Sequence, residues 1–315
     1  VVRRLVPQVL LLLAVAALLV TAVLNARANI EARHIPTSFA FLWQTAGFGL
    51  NQSVIAFSPL DTYARALLVG LINTLLVSAL ASVLATLVGF AVGFARLSPH
   101  WALSRLAMLY VETLRNVPLL LHLLFWYIVL LAPLPPPEHS LDFAGALVNN
   151  RGLYLPCPGL GWPAFDPARN AFNVEGGLRF APEAAALIFG LTFYTASYIA
   201  EILRAGVQAV ARGQTEAAAA LGLSPAQTRR LVILPQALRV ALPPLISQYL
   251  ALTKNSSLAA FIGFSDLMQV SGTILNQTGA ALQTIAVDMA LYLGLSLLTL
   301  ALLRRIERGT DWGAR

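Results

Sequence analysis

Gly213-Gln214-Thr215-Glu216-Ala217-Ala218-Ala219-Ala220-Leu221-Gly222-Leu223-Ser224-Pro225 is a polar-edged, alanine-rich stretch in a chain whose other long runs are apolar enough for a membrane. Glu216 through Leu221 are good helix formers, and Gly222 suits the left-handed residue that ends a short helix. Glu216 falls in the first turn of that helix, where a carboxylate meets the positive end of the helix dipole. Ser224 then caps a new helix, with Pro225 at its first position and Gln227 completing a capping box. The reading is two short helices with a glycine joint on one loop. Alanine methyls give the first a slim face suited to a groove on another protein. From the local pattern alone, an ordinary amphipathic loop helix fits equally well.

The composition bounds the class. Of 315 residues, 58% are hydrophobic and 11% charged, against about a quarter charged in a typical soluble domain. The chain reads as a polytopic membrane protein. Its net charge of +7 would suggest nucleic acid in a soluble chain, but the basic residues lie beside apolar runs, where they set membrane orientation. One cysteine, Cys157, excludes an internal disulfide framework and a multi-cysteine metal site. Lys254 is the one lysine; Asn255 follows it and no phosphate-loop glycines precede it, so the chain carries no P-loop.

Six spans are predicted, making an all-α polytopic bundle. The first covers 5–24, long enough for the hydrocarbon core and read as a retained span rather than a cleaved signal. Residues 25–64 are expected outside, with Phe39, Phe41, Trp43 and Phe48 at the membrane interface. The second span, 67–94, carries Asn73, Thr74, Ser78, Ser82, Thr86, Gly89 and Gly93, small or weakly polar residues that favour close helix packing. The third region, 101–134, is interrupted at Pro118 and fits one kinked span or two half-spans. Glu112 and Arg115 are spaced to neutralise each other on one face. Residues 135–182 are a Pro- and Gly-punctuated insertion without a helical period. The fourth span is 183–203 and the fifth 237–252, with Pro243-Pro244 near its start. Residues 255–282 are expected to dip partly into the bundle, and the last span is 284–303. The divisions are therefore 1–62, 63–134, 135–182, 183–303 with a loop at 204–236, and a tail at 304–315.

Arginine bias sets the orientation. With the N-terminus inside, Arg3, Arg4, Arg96, Arg105, Arg204, Arg212, Arg229, Arg230, Arg239, Arg304, Arg305, Arg308 and Arg315 fall on the cytoplasmic side. Both termini and the alanine-rich loop are then cytoplasmic, and 135–182 is periplasmic.

No catalytic set emerges. His34, His100, His122 and His139 are scattered, without metalloprotease spacing, and no Gly-x-Ser-x-Gly elbow is present. His122, in an apolar run, reads as a satisfied buried histidine. Ionisable residues in or beside spans are Glu112, Arg115, Glu183, Glu201, Lys254 and Asp288. Glu201 and Arg204 are spaced as an ion pair at the inner membrane edge. Asp288 is expected to reach the interface. Lys254 opens a polar turn, Asn255-Ser256-Ser257, and has no acid at helical spacing; it faces an aqueous pathway or pairs with an acid on another helix. Glu112, Arg115, Asn116, Lys254, Asn255, Ser256 and Ser257 are the candidate pathway or interhelical residues.

Glu216-Ala217-Ala218, then Gly222 and the run ending Leu234-Pro235-Gln236-Ala237, resemble the signature loop of ABC importer permeases. Tyr194-Thr195-Ala196-Ser197-Tyr198-Ile199-Ala200-Glu201-Ile202 and Leu252-Thr253-Lys254-Asn255-Ser256-Ser257-Leu258 are similar to the polar amino-acid uptake branch. So is Glu112-Thr113-Leu114-Arg115-Asn116-Val117-Pro118-Leu119-Leu120, and the likeness covers most of 60–303. The whole chain resembles a permease of a general L-amino-acid importer of the bacterial inner membrane. The resemblance implies that Gln214, Glu216, Ala217, Ala218, Leu221, Gly222 and Ser224 contact an ATPase. It implies two ATPase subunits holding ATP and Mg²⁺, a second permease chain, identical or different, and a periplasmic amino-acid-binding protein. Membrane lipid surrounds the chain, no cofactor is expected in it, and nucleic acid is not a partner. A gradient-driven carrier would show repeated halves with broken helices, and no convincing repeat is present; an intramembrane enzyme would need the missing catalytic set.

Overall fold

A computed structural model describes residues 2–32, 37–170 and 172–309. Helix α1 (Val2–Ala32) is apolar and its described side chains are almost all exposed. It runs past the expected span end at residue 24, because Ala, Arg and Glu in 25–32 are good helix formers and Asn29 donates back to the Asn25 carbonyl at 2.9 Å. That part of the expected external loop is therefore helix. A 3₁₀ turn (Phe39–Trp43) follows, and the expected interfacial aromatics divide. Phe39 and Trp43 are exposed, whereas Phe41 is buried and Phe48 packs beside it against Tyr63, Leu67, Leu267, Val270 and Ile274.

Helix α2 (Tyr63–Arg96) starts at Thr62, whose side chain accepts from the Arg65 amide at 3.3 Å. It packs against α5 (Pro182–Gln208) closely enough that side chains at two of its glycines would crowd the neighbouring helix. A Cβ on Gly89 would lie 2.7 Å from Ile199 Cβ, and one on Gly93 would lie 2.8 Å from Leu203 Cδ2. Small residues here let two apolar helices approach without cavities. Val77, Ala81, Leu123, Leu187, Leu191 and Ile199 form the main core around this crossing.

The third hydrophobic region is two helices. Helix α3 (Trp101–Asn116) stops at Val117, in the extended conformation that a following proline imposes. Helix α4 (Leu119–Leu124), continued by a π-helical turn (Phe125–Leu131), leaves at 107°. The insertion is a small antiparallel meander of strands β1 (Leu141–Phe143), β2 (Ala146–Asn149), β3 (Gly152–Leu155) and β4 (Leu178–Phe180). Its register pairs Leu141 with Val148, Leu147 with Tyr154 and Leu153 with Phe180. The chain is thus a helical bundle carrying one minor sheet, which we call the cap.

After α5 come α6 (Arg212–Ala220), the single turn α7 (Pro225–Gln227), a π-helical turn (Thr228–Ile233) and α8 (Leu234–Asn255). The fifth span begins earlier than expected, because helix runs unbroken from Pro225 through the π turn. The Leu234 amide reaches back to the Arg229 carbonyl, just ahead of Pro235, which has no N–H to offer. Pro243 and Pro244 therefore lie inside α8 rather than at its start. A 3₁₀ segment (Ser256–Ile262) ends at left-handed Gly263, and α9 (Leu267–Thr278) enters the bundle against α2. Helix α10 (Ala281–Gly309) closes the chain. Among the described residues, five helices are long and apolar enough to span a membrane, or six with the bent α3–α4 pair counted as one.

Candidate coupling segment and translocation groove

Helix α6 stands out from the bundle on the π turn that begins α8. Ala218 is 3% exposed and is the one buried residue of the helix, whereas Leu221 at its end is 81% exposed. The end is a Schellman motif: the Leu223 amide donates to Ala218 O at 3.1 Å and the Gly222 amide to Ala219 O at 2.9 Å. Gly222 supplies the left-handed residue at φ 77°, and nothing lies within 4 Å of where its Cβ would be. Its need for glycine is therefore conformational rather than steric. The Ser224 capping box forms as read, with the Ser224 amide donating to Gln227 Oε1 at 2.9 Å and the Gln227 amide to Ser224 Oγ at 3.4 Å.

Two expectations about this segment are corrected. Glu216 is not in the first turn, because α6 begins at Arg212 and its first turn holds no acid. The start carried no sequence signal, since its cap residue Ala211 has no side chain that can accept. Glu216 is exposed, as are Gln214 and Ala217. The second helix is not short either; Ser224 caps the long α7–α8 helix. Gln236 Nε2 donates to Gln214 Oε1 at 3.2 Å and ties α6 to that helix.

The C-terminal parts of α2, α3 and α5 are joined by charge. Arg96 Nη2 lies 3.2 Å from Glu112 Oε1, and Arg96 Nη1 pairs with Glu201. Arg204 Nε donates to Glu201 Oε2 at 3.0 Å, the ion pair expected from spacing. Glu112 and Arg115 do not neutralise each other. Glu112 turns to Arg96, and Arg115 lies over the Tyr198 ring. A helical pair at that spacing is worth only about 0.2–0.5 kcal/mol, so partners on another helix decide the geometry.

A groove of about 810 Å³ runs between α2, α8 and α10. Thr74, Ser78, Ser82 and Thr86 recur every fourth residue along one face of α2. Thr74 Oγ1 accepts from the Leu267 amide at 3.1 Å, and Ser78, Ser82 and Thr86 line the groove. Thr86 Oγ1 and Tyr249 Oη are 2.7 Å apart, and the buried Ser78 hydroxyl has no partner among the described residues. This stripe was legible as a period of four but was read only as packing.

Lys254 is exposed next to Thr253, which lines the groove, and has no side-chain partner among the described residues. The Ser256 hydroxyl is buried and donates to Thr253 O at 2.8 Å, and the Ser257 hydroxyl donates to Lys254 O at 2.8 Å. Asn255 is half-buried at the end of α8, and Asn116 is exposed at the end of α3. These residues and Glu112 or Arg115 do not form one cluster. His122 is satisfied, with a ring nitrogen 3.1 Å from Leu114 O. Asp288 does not reach out to the interface; it accepts from Ser271 on α9. Asp266, missed in the sequence, is buried and caps α9 by accepting from the Gln269 amide at 2.8 Å. An acid immediately before an apolar helical run was its readable signal.

Residues 81–311 match the family described as binding-protein-dependent transport system inner membrane component. The chain is 41% identical to the general L-amino acid transport system permease protein AapQ of Rhizobium johnstonii, over 87% of this chain and 84% of that protein. It is 39% identical to the glutamate/glutamine/aspartate/asparagine transport system permease protein BztB of Rhodobacter capsulatus, over 94% and 90%. Among solved structures, an amino acid ABC transporter crystallised with histidines matches with a TM-score of 0.58 at 28% identity, covering 78% of this chain and 94% of that one. With its span count, exposed α6 and close α2–α5 crossing, the chain belongs to the family of binding-protein-dependent transport system inner membrane components.

Proposed function

We propose that this chain is the permease subunit of an ATP-driven importer of L-amino acids in the bacterial inner membrane, working by alternating access. The observation that carries the reading is α6: a short exposed helix, ended by the Schellman motif at Gly222 and seated on the π turn that leads into α8. A helix so placed can take a push from outside the membrane and pass it through α8 to α5, against which α8 packs. Gln214, Glu216, Ala217, Leu221, Gly222 and Ser224 are the surface offered to an ATPase, with Ala218 seating the helix on α8. Two ATPase subunits would hold ATP and Mg²⁺, and this chain would hold no cofactor. A second permease, identical or different, would complete the pathway, and a periplasmic binding protein would deliver the substrate.

In this reading both termini and α6 are cytoplasmic and the cap is periplasmic. The hydroxyls of Ser82, Thr86, Tyr249 and Thr253 are the polar spots on an otherwise apolar groove, past which an amino acid would move without binding tightly. The test is reconstitution of the purified complex in proteoliposomes with radiolabelled L-amino acids. Uptake should need binding protein and ATP and should persist without an ion gradient. Uptake driven by a gradient alone would replace the reading with a secondary carrier.

A further inference from the structure

A second, polar cleft of about 510 Å³ lies between the cap and the bundle, away from the groove. Its volume falls in the range of small-molecule sites, about 300–1,000 Å³. Five separate pieces of chain meet there: Asn51, Tyr127 after α4, Arg151 on the β2–β3 turn, Arg179 on β4, and Glu183 in the first turn of α5. The arginines are held in place but not neutralised. Arg179 Nη2 donates to Arg151 O at 3.3 Å, and its guanidinium lies 5.9 Å from the ring centroid of buried Tyr154. Burial pushes the Tyr154 phenol up in pKa, and the Arg179 cation pulls it partly back. The Arg151 amide is fixed by Asn149 Oδ1 at 2.8 Å. Neither arginine has a carboxylate partner among the described residues. Glu183 Oε1 accepts from Tyr127 Oη at 3.2 Å, which leaves its second oxygen for another donor.

Two guanidinium groups and one carboxylate lining the same cleft give it one net positive charge. A free amino acid offers a carboxylate and an ammonium, and an acidic one offers a second carboxylate. We infer that this cleft binds an acidic L-amino acid at the outer mouth of the transporter, with its carboxylates on Arg151 and Arg179 and its α-ammonium on Glu183. The inference rests on the amino-acid import reading above and adds a station to it. The cleft is half open and both arginines are exposed, so the contacts are screened and exchange is fast. Such a site retains substrate released at the mouth rather than selecting it.

The experiment uses the full permease–ATPase complex in nanodiscs without binding protein, with L-glutamate, L-lysine and glutarate as probes followed by saturation-transfer NMR. Wild type should bind glutamate weakly and saturably, bind lysine less, and lose glutamate as salt rises. Arg151→Gln and Arg179→Gln should each weaken glutamate by about tenfold, as expected for loss of a charge-assisted contact. Arg151 is on an exposed turn, so its variant also tests the site without loading the fold. Glu183→Gln should weaken glutamate while leaving glutarate, which has no ammonium, as tight or tighter. Glutamate binding that ignores both arginines overturns the inference, and so does the absence of saturable binding to wild type. In a parallel pull-down with binding protein added, variants that keep free glutamate but lose the binding protein overturn it as well, and mark the cleft as a protein-docking face. ATP-dependent uptake by the wild-type complex in proteoliposomes supplied with binding protein reports separately on the import reading.

Discussion

The guanidinium carbon of Arg115 lies 5.1 Å from the ring centroid of Tyr198, and the Tyr198 hydroxyl is 3.1 Å from that of Tyr194. The last turn of α3, just before the break at Pro118, is therefore held to α5 by a cation on an aromatic face. Arg115→Lys should keep the charge but lose the planar stacking, and Arg115→Met should lose both. A cation over a ring at a partly exposed site is worth about 0.5–1 kcal/mol. We expect a small fall in thermal stability for Lys and a larger one for Met, measured by thermal unfolding of the purified chain in detergent. Equal stability for wild type, Lys and Met variants would remove the ring contact from the account.

Arg96 is 12% exposed and sits between Glu201 at 22% and Glu112 at 55%. The two pairs should therefore differ in strength. A double-mutant cycle between Arg96 and Glu112 should give about 0–1 kcal/mol, the range for solvated pairs. The cycle between Arg96 and Glu201 should give clearly more, because the charges are less screened. The two coupling energies are read from unfolding of the single and double variants, and a reversed order would show that Glu112 is the true anchor.

What was legible in the sequence was short-range. The Gly222 end, the Ser224–Gln227 box, the Pro118 break and the Glu201–Arg204 pair are each decided by residues within a few positions, and each formed. What failed was decided across the fold. Arg96 meets Glu201 from 105 positions away, and its second contact, to Glu112, takes that carboxylate from Arg115. The cap strands are three or four residues long, too short for an alternating pattern to show among so many prolines and glycines. The hydroxyl period on α2 was visible, but only the neighbouring α8 and α10 tell which of its members face a groove and which a helix.

That stripe makes a paired prediction. Ser78 Oγ is buried without a partner, so Ser78→Ala removes a desolvated hydroxyl and should be neutral or slightly stabilising. Thr86→Val breaks the bond to Tyr249 and should cost about 0.6 kcal/mol, the average for such bonds in membrane bundles. Thr86→Val should also slow ATP-dependent uptake, since it removes one of the few polar groups on the groove wall. Stability and uptake assays on both variants check this; a destabilised Ser78→Ala would mean that its hydroxyl has a partner in the assembled complex.

Sidedness can be tested at exposed positions. Thr228 is buried against α6 and Ser140 is half-buried, donating to Pro137 O, so neither is a good reporter. Glu138→Cys on the cap side and Arg229→Cys beside α6 are both exposed. In a Cys157→Ser background, a membrane-impermeant thiol reagent should label Glu138→Cys in intact cells and Arg229→Cys only after permeabilisation. The opposite pattern would turn the bundle over and take α6 away from ATP.

The sharpest test is Gly222. Its Cβ direction is open, so any penalty on substitution comes from φ 77° and not from a clash. Ala at that position should cost about 1–2 kcal/mol of local geometry, and β-branched Val more. The chain relieves that strain by releasing the Schellman bonds from Gly222 and Leu223 rather than by disturbing the bundle, because α6 is joined to the rest mainly through Ala218 and Gln214. Insertion and span packing should therefore stay normal while the angle between α6 and α8 changes. Glu216→Lys acts differently: away from the first turn, its charge has no dipole to favour, so any effect must come from a partner surface. We expect Gly222→Val to reduce co-purification of the ATPase most, Gly222→Ala and Glu216→Lys less, and Arg212→Gln least. Substrate-stimulated ATP hydrolysis in proteoliposomes should follow the same order. If Gly222→Val retains wild-type attachment and stimulated hydrolysis, α6 is not the element that couples the two subunits.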